Sequence, residues 1–217
     1  FIESGLLQPM EPFIEAGLID TSGILESSME GGIRDGQLYG ILLGSNSQSW
    51  VLDLDAFEEA GIELPAWDWT WEDFEEITVQ LHEELGIWGF GADLTQIPLW
   101  PSIMLGYGEF TYNEAGTALG YEDDQPLIDH FNMTQRLIEA GAIPTQAQQA
   151  ERIDAGIETA PITVGDAAMT YLWSNAVVGL FDAAGEDRNF AMWPVPRPAD
   201  GQSSNFVKPA MFLPVFT

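Results

Sequence analysis

The stretch Leu54-Asp55-Ala56-Phe57-Glu58-Glu59-Ala60-Gly61-Ile62, followed by Pro65 and Thr70-Trp71-Glu72-Asp73-Phe74, decides how the rest of the chain is read. The Thr70 hydroxyl can accept from the amide three residues on, and Asp73 stands where its carboxylate can return the bond, so a helix begins here. Phe74, Ile77, Leu81 and Leu85 recur at three- and four-residue spacing and define its buried face, and Gly86 supplies the stop. Trp67, Trp69 and Trp71 alternate on the way in; all three are read as packing residues.

Working outward, a second helix is expected from Asp124 to Ala140, with Leu127, Phe131 and Ile138 inward and Gly141 as its stop. Phe110 to Leu119 reads as a hairpin about Asn113-Glu114-Ala115-Gly116. Short strands are expected at Gly40–Leu43, Val51–Leu54, Ile87–Gly91, Ala168–Tyr171, Phe190–Trp193 and Ala210–Phe216. Helices that alternate with strands point to α/β layers. The stretch Trp193-Pro194-Val195-Pro196-Arg197-Pro198 cannot continue as an inner strand, and with Ala199-Asp200-Gly201 it makes a turn and a candidate crossing between substructures.

Charge narrows the function classes. The chain of 217 residues has 35 acidic and 6 basic residues, a formal charge of -29, with Lys208 its one lysine. Such a charge repels phosphate backbones and anionic lipid heads, so neither nucleic acid nor a membrane surface is expected as a partner. The self-repulsion is tolerable in strongly ionic surroundings. Eight tryptophans and twelve phenylalanines supply a core. The absence of cysteine excludes disulfides and thiolate chemistry. No apolar run reaches the roughly 18 residues that span a bilayer. Phe1 stands where an initiator Met is usual, and both ends are expected to be cuts through a longer protein.

Five segments in order then resemble the extracellular sugar-binding subunits of ABC importers, the family that includes maltose-binding protein. They are Gly5-Leu6-Leu7 with Pro9, the run Asp35-Gly36-Gln37-Leu38-Tyr39-Gly40-Ile41, the stretch quoted first, Gly165-Asp166-Ala167-Ala168-Met169 with Trp173, and Phe190 to Pro196. Leu42 replaces a usual proline, Asp53 a usual asparagine, and the motif lysines are gone. The resemblance implies a two-lobe, type II periplasmic-binding fold of which this chain is an internal fragment carrying mostly the second lobe. Residues 1–47 would then be the end of the first lobe and a crossing strand, 48–201 the second lobe, and 202–217 a return toward the first. It further implies capture of a small molecule, a mono- or oligosaccharide, between the lobes outside the cytoplasm, with ABC permease subunits as partners. No cofactor is implied.

Sugars offer hydroxyls to planar polar groups and C–H faces to aromatic rings. Gly44-Ser45-Asn46-Ser47-Gln48-Ser49-Trp50 has that mixture, is read as a polar hinge loop, and makes Asn46 and Gln48 candidate contacts. Trp173 matches the family's stacking position, followed by Ser174 and Asn175, which can also cap the next helix. Thr95 and Gln96 lie in a loop that faces the ligand in the family, whereas Trp100 is read as core. Catalysis is not expected: no carboxylate pair sits in a motif, His82 and His130 are isolated, and Asp53-Leu54-Asp55 lacks the glycine of a calcium loop. A carbohydrate-cleaving enzyme and a sensor lobe are the alternatives.

Overall fold

A computed structural model describes residues 1–152 and 154–217. The chain opens with β1 (Leu7–Gln8), α1 (Glu11–Glu15), α2 (Glu26–Met29), β2 (Ile33–Arg34), β3 (Gln37–Leu38) and the long β4 (Ile41–Asp53). It continues through α3 (Leu54–Ala60), α4 (Trp71–Leu85), α5 (Trp100–Gly106), the hairpin β5 (Phe110–Tyr112) and β6 (Leu119–Gly120), α6 (Gln125–Glu139), α7 (Gln146–Ala150) and α8 (Pro161–Val164). It ends with β7 (Met169–Trp173), α9 (Val177–Ala184), β8 (Phe190–Trp193), β9 (Val207–Leu213) and β10 (Val215–Phe216). Two compact units result, one of Phe1–Ser47 with Val207–Thr217, the other of Gln48–Phe206.

In the smaller unit β9 runs antiparallel to the first half of β4, from Ile41↔Leu213 to Ser47↔Val207, with irregular register around Gly44. β1 pairs with β10, and β2 with β3. The Leu38 amide donates to Glu11 Oε1 at 2.7 Å, fixing α1 to the β3 end.

The larger unit is built on the second half of β4, flanked by β7 and β8, both antiparallel to it. Gln48 lies opposite Trp173, Trp50 opposite Tyr171 and Trp193, and Leu52 opposite Met169 and Ala191. Alternation therefore puts Gln48, Trp50, Leu52, Met169, Tyr171 and Trp173 on one face of the sheet. There Trp50, fully buried, stacks on Phe90 at 5.4 Å and Tyr171 at 5.7 Å and meets Trp71 and Phe74 edge-on. The opposite face carries Val51 and Leu172 onto Ile162, Val177 and Leu180. A sheet with apolar packing on both faces is the α/β layering expected.

Local chemistry explains the best-read element. Thr70 and Asp73 form the reciprocal capping bonds, and Gly86 ends α4 at φ 70, a left-handed value that a side chain would strain. The inner face of α6 is displaced by one residue from expectation. Leu127, His130, Met133, Thr134 and Leu137 are buried while Phe131 is exposed, because His130 turns inward to bond the Leu94 carbonyl. Ile87–Gly91 is no strand: Trp88 makes a single parallel bridge to Ala167, and the segment lies flush on α4, where a Cβ on Gly89 would fall 2.0 Å from the Thr78 carbonyl oxygen. Trp69 and Trp71 are buried as expected, whereas Trp67 is 67% exposed and stacks on Trp193 at 4.7 Å.

Candidate functional site

The stretch from Gly44 to Trp50 is strand, not loop, throughout. Its polar residues are held by cross-strand pairing where hydrophobic periodicity would have predicted none. Gln48 is 1% exposed, and both ends of its amide are engaged: Nε2 donates to the Pro98 carbonyl at 2.9 Å and Oε1 accepts from Ser102 Oγ at 3.0 Å. Its backbone carbonyl accepts from Asn205 Nδ2 at 2.8 Å. Within this unit Gln48 acts as a buried brace for the loop ahead of α5.

That loop, Asp93 to Leu99, is anchored by three more elements. The Tyr171 hydroxyl on β7 donates to Gln96 Oε1 at 3.1 Å. Burial, and after it the negative charge of Asp93, push the Tyr171 phenol up to about 12, so it stays a donor. From α6, His130 Nε2 meets the Leu94 carbonyl at 2.9 Å. A carbonyl only accepts, so Nε2 carries the hydrogen. Burial pulls this imidazole down to about 4, against the opposing pull of that bond, and keeps it neutral at ordinary pH. Asp93 Oδ1 closes a local turn by accepting from the Thr95 amide at 2.8 Å and hydroxyl at 2.7 Å, and from Gln146 Nε2 on α7 at 3.2 Å.

The expected residues thus fall in three groups. Thr95 and Gln96 sit on the braced loop; Trp173 stands at the β7 end, directly across from Gln48 and edge-on to Phe206 at 6.1 Å. Asn175 follows, exposed, at the middle of a single 3-10 turn, Ser174–Ala176. The N-cap of α9 is Ala176, so neither Ser174 nor Asn175 occupies the capping position that the sequence allowed them. Asn46 belongs to the smaller unit, opposite Lys208 in the β4–β9 ladder. Sequence reasoning reads His130 only as an isolated histidine and assigns no bracing role to Tyr171 or Asp93. Asp93-Leu94-Thr95 is a legible Asx-turn pattern, but the partners of Tyr171 and His130 are 75 and 36 residues away.

Chemically, the braced loop and the β7 end offer amide, hydroxyl and indole surfaces without a reactive constellation. Among the described residues no group of three His, Asp or Glu is placed to hold a metal ion. No helix among them is long and apolar enough to cross a membrane. Asp53 and Asp55 serve structure: Asp53 caps α3 and pairs with Arg188, and Asp55 accepts from Asn189.

Comparison with known proteins agrees with this architecture. The chain superposes on a family 1 extracellular solute-binding protein from Alicyclobacillus acidocaldarius with a TM-score of 0.74 and 25% identity, covering 99% of this chain and 52% of that one. The GacH receptor of Streptomyces glaucescens, solved unliganded and with acarbose, matches at a TM-score of 0.76 and 19% identity, over 100% and 53%. An ABC substrate-binding protein from Listeria monocytogenes in complex with cycloalternan matches at 0.76 and 19%, over 95% and 53%. The chain therefore spans about half the length of these two-lobe structures. Residues 1–215 match the family model for bacterial extracellular solute-binding proteins, and the chain belongs to that family.

Proposed function

We propose that the protein carrying this chain captures a mono- or oligosaccharide outside the cytoplasm and delivers it to the permease of an ABC importer. Residues 1–47 are assigned to the end of the first lobe and its crossing strand, 48–201 to the second lobe, and 202–217 to the return. The reading rests on the braced loop: four separate elements hold Thr95 and Gln96 beside the strand end that carries Trp173. Such investment in a surface loop suits a preformed recognition edge, whose rigidity lowers the ordering cost of binding.

In this account Trp173 stacks on a sugar C–H face, while Thr95, Gln96 and Asn175 exchange hydrogen bonds with hydroxyls. Asn46 contributes from the crossing strand. Gln48, at 1% exposure, positions the loop rather than touching the ligand. Closure of the family's two lobes follows from a ligand that gains contacts only when both engage it. The solved relatives that carry acarbose and cycloalternan support a carbohydrate class.

A thermal-shift screen of the full-length protein against mono- and oligosaccharides tests the assignment. Ligand at about a hundred times its Kd adds roughly 2.7 kcal/mol and raises the Tm. A selective rise with the saccharide recovered intact supports the reading; no shift across a broad panel sinks the carbohydrate assignment, and consumption of the saccharide would favour a carbohydrate-cleaving enzyme.

A further inference from the structure

The turn before α4 is tied to the segment after β8. Trp67 and Asp68 are its central residues, and the Trp69 amide closes it on the Ala66 carbonyl at 3.1 Å. Trp69, 2% exposed, anchors the turn by donating from its indole Nε1 to the Pro194 carbonyl at 2.9 Å. Two backbone bonds of 3.1 Å, from Arg197 to Trp69 and from Trp71 to Arg197, continue the attachment. Trp67 rests one face on Trp193, 4.7 Å between centroids and 13° from parallel, and is still 67% exposed. With one face covered, exposure of that size leaves the other face open to solvent.

A concavity of about 370 Å³ adjoins this indole, and Trp67, Asp68, Arg197 and Ser203 are among its lining residues. None of Gln48, Thr95, Gln96, Trp173 or Asn175 lines it. Its charged lining residues are Asp68 and Arg197, one of each sign, in a chain whose formal charge is -29. Arg197 is held in place, since Nη1 donates to the carbonyls of Pro198 at 3.0 Å and Ala199 at 2.8 Å. Its Nη2 reaches the largely exposed Asp68 carboxylate at 3.5 Å, long for a charge-assisted bond, so both groups keep capacity for a ligand.

This chemistry narrows the ligand. An open indole face attracts C–H surfaces and cations alike. A cation would meet the Arg197 guanidinium beside Asp68, so the locally balanced pair favours a neutral molecule. A guanidinium that donates next to a carboxylate that accepts suits two neighbouring hydroxyls. The volume falls at the small end of the roughly 300–1,000 Å³ that ligand pockets span, rather than forming an extended face for a protein.

We infer that this surface is a second saccharide site, apart from the loop that carries Thr95 and Gln96. Trp67 carries the C–H face of one sugar ring, and Asp68 and Arg197 take two of its hydroxyls. The fixed geometry of the turn lowers the ordering cost of binding. Trp173 plays no part in it, so either assignment can fail without the other.

Titration of the full-length protein with maltotriose and, separately, cellotriose, followed by NMR through the Trp67 indole N–H signal, tests this. The expected result is a saturable displacement by at least one trisaccharide, with a Kd of about 1 mM, and none by glycerol at equal concentration. Trp173→Ala should leave that displacement in place. Asp68→Ala, at an exposed position where folding is not at risk, should weaken it roughly tenfold. No displacement by either trisaccharide overturns the proposal, as does an equal response to glycerol or unchanged affinity in Asp68→Ala. Loss of the response in Trp173→Ala would assign it to the first site and overturn the proposal too. So would protection of the Trp67 N–H from a soluble paramagnetic reagent before any sugar is added, which would mean that another segment of the full-length protein covers the indole.

Discussion

The Tyr171 hydroxyl donates to Gln96 Oε1 across 3.1 Å, joining the sheet's central packing to the exposed tip of the Asp93–Leu99 loop. Tyr171 stacks on Trp50 below, so the loop position is set by the core rather than by its own sequence. Tyr171→Phe keeps the ring and loses the bond. Because exposed Gln96 can turn to water, the stability cost should be only about 1 kcal/mol. If Gln96 contacts ligand, saccharide affinity should fall by roughly fivefold to tenfold, read by calorimetry; unchanged affinity would remove Gln96 from the site.

His130 should titrate at about 4, well below an ordinary imidazole. The fold favours its neutral form, so the unfolded chain binds a proton first as pH falls. Its contribution is complete above roughly pH 6.5 and is lost progressively toward pH 4, up to about 3 kcal/mol. NMR of the ring through the acid range reads this directly. A midpoint near 6.5 would contradict the burial of the ring.

Arg188 pairs with Asp53, which is 3% exposed, and also donates to the Ile162 carbonyl at 3.2 Å, tying the β4 end to α8. Arg188→Ala leaves a buried carboxylate without its ion partner and should cost about 3 kcal/mol. The double variant with Asp53→Asn should recover part of that loss in chemical denaturation; strict additivity would show that the two side chains are not coupled.

A formal charge of -29 makes the folded state repel itself. Salt shortens the screening length from about 30 Å at 0.01 M to about 3 Å at 1 M, so the Tm should rise by several degrees over that range. A flat or falling Tm in sodium chloride would show that the acids are already compensated.

How much of this was legible varies by element for physical reasons. The ends of α4 were readable because Thr70, Asp73 and Gly86 act within a turn of one another. Strand β4 was not: Gly44 to Ser49 carries no apolar alternation, and its extended form comes from β9 on one stretch and β7 and β8 on the next. Phe131 reads as an inner residue by hydrophobicity, yet His130 is the buried one and bonds the Leu94 carbonyl, a contact 36 residues away that the helical pattern does not show. In the candidate site, Thr95, Gln96 and Trp173 were found by residue type and family resemblance. Apart from the local Asp93–Thr95 turn, the bonds that hold the loop are invisible in the sequence, since each closes over tens of residues.

Saccharide capture without turnover, with Trp173 as the stacking surface, is the proposed function in its sharpest form. Calorimetric titration of the best saccharide from the screen against the full-length protein and its Trp173→Ala variant, followed by recovery of the sugar, tests it most directly. The expected result is one saturable site, intact sugar, and affinity reduced by roughly tenfold in the variant, the loss of about 1.4 kcal/mol that one aromatic stack supplies. Equal affinity in the two proteins, or a cleaved sugar, would contradict it.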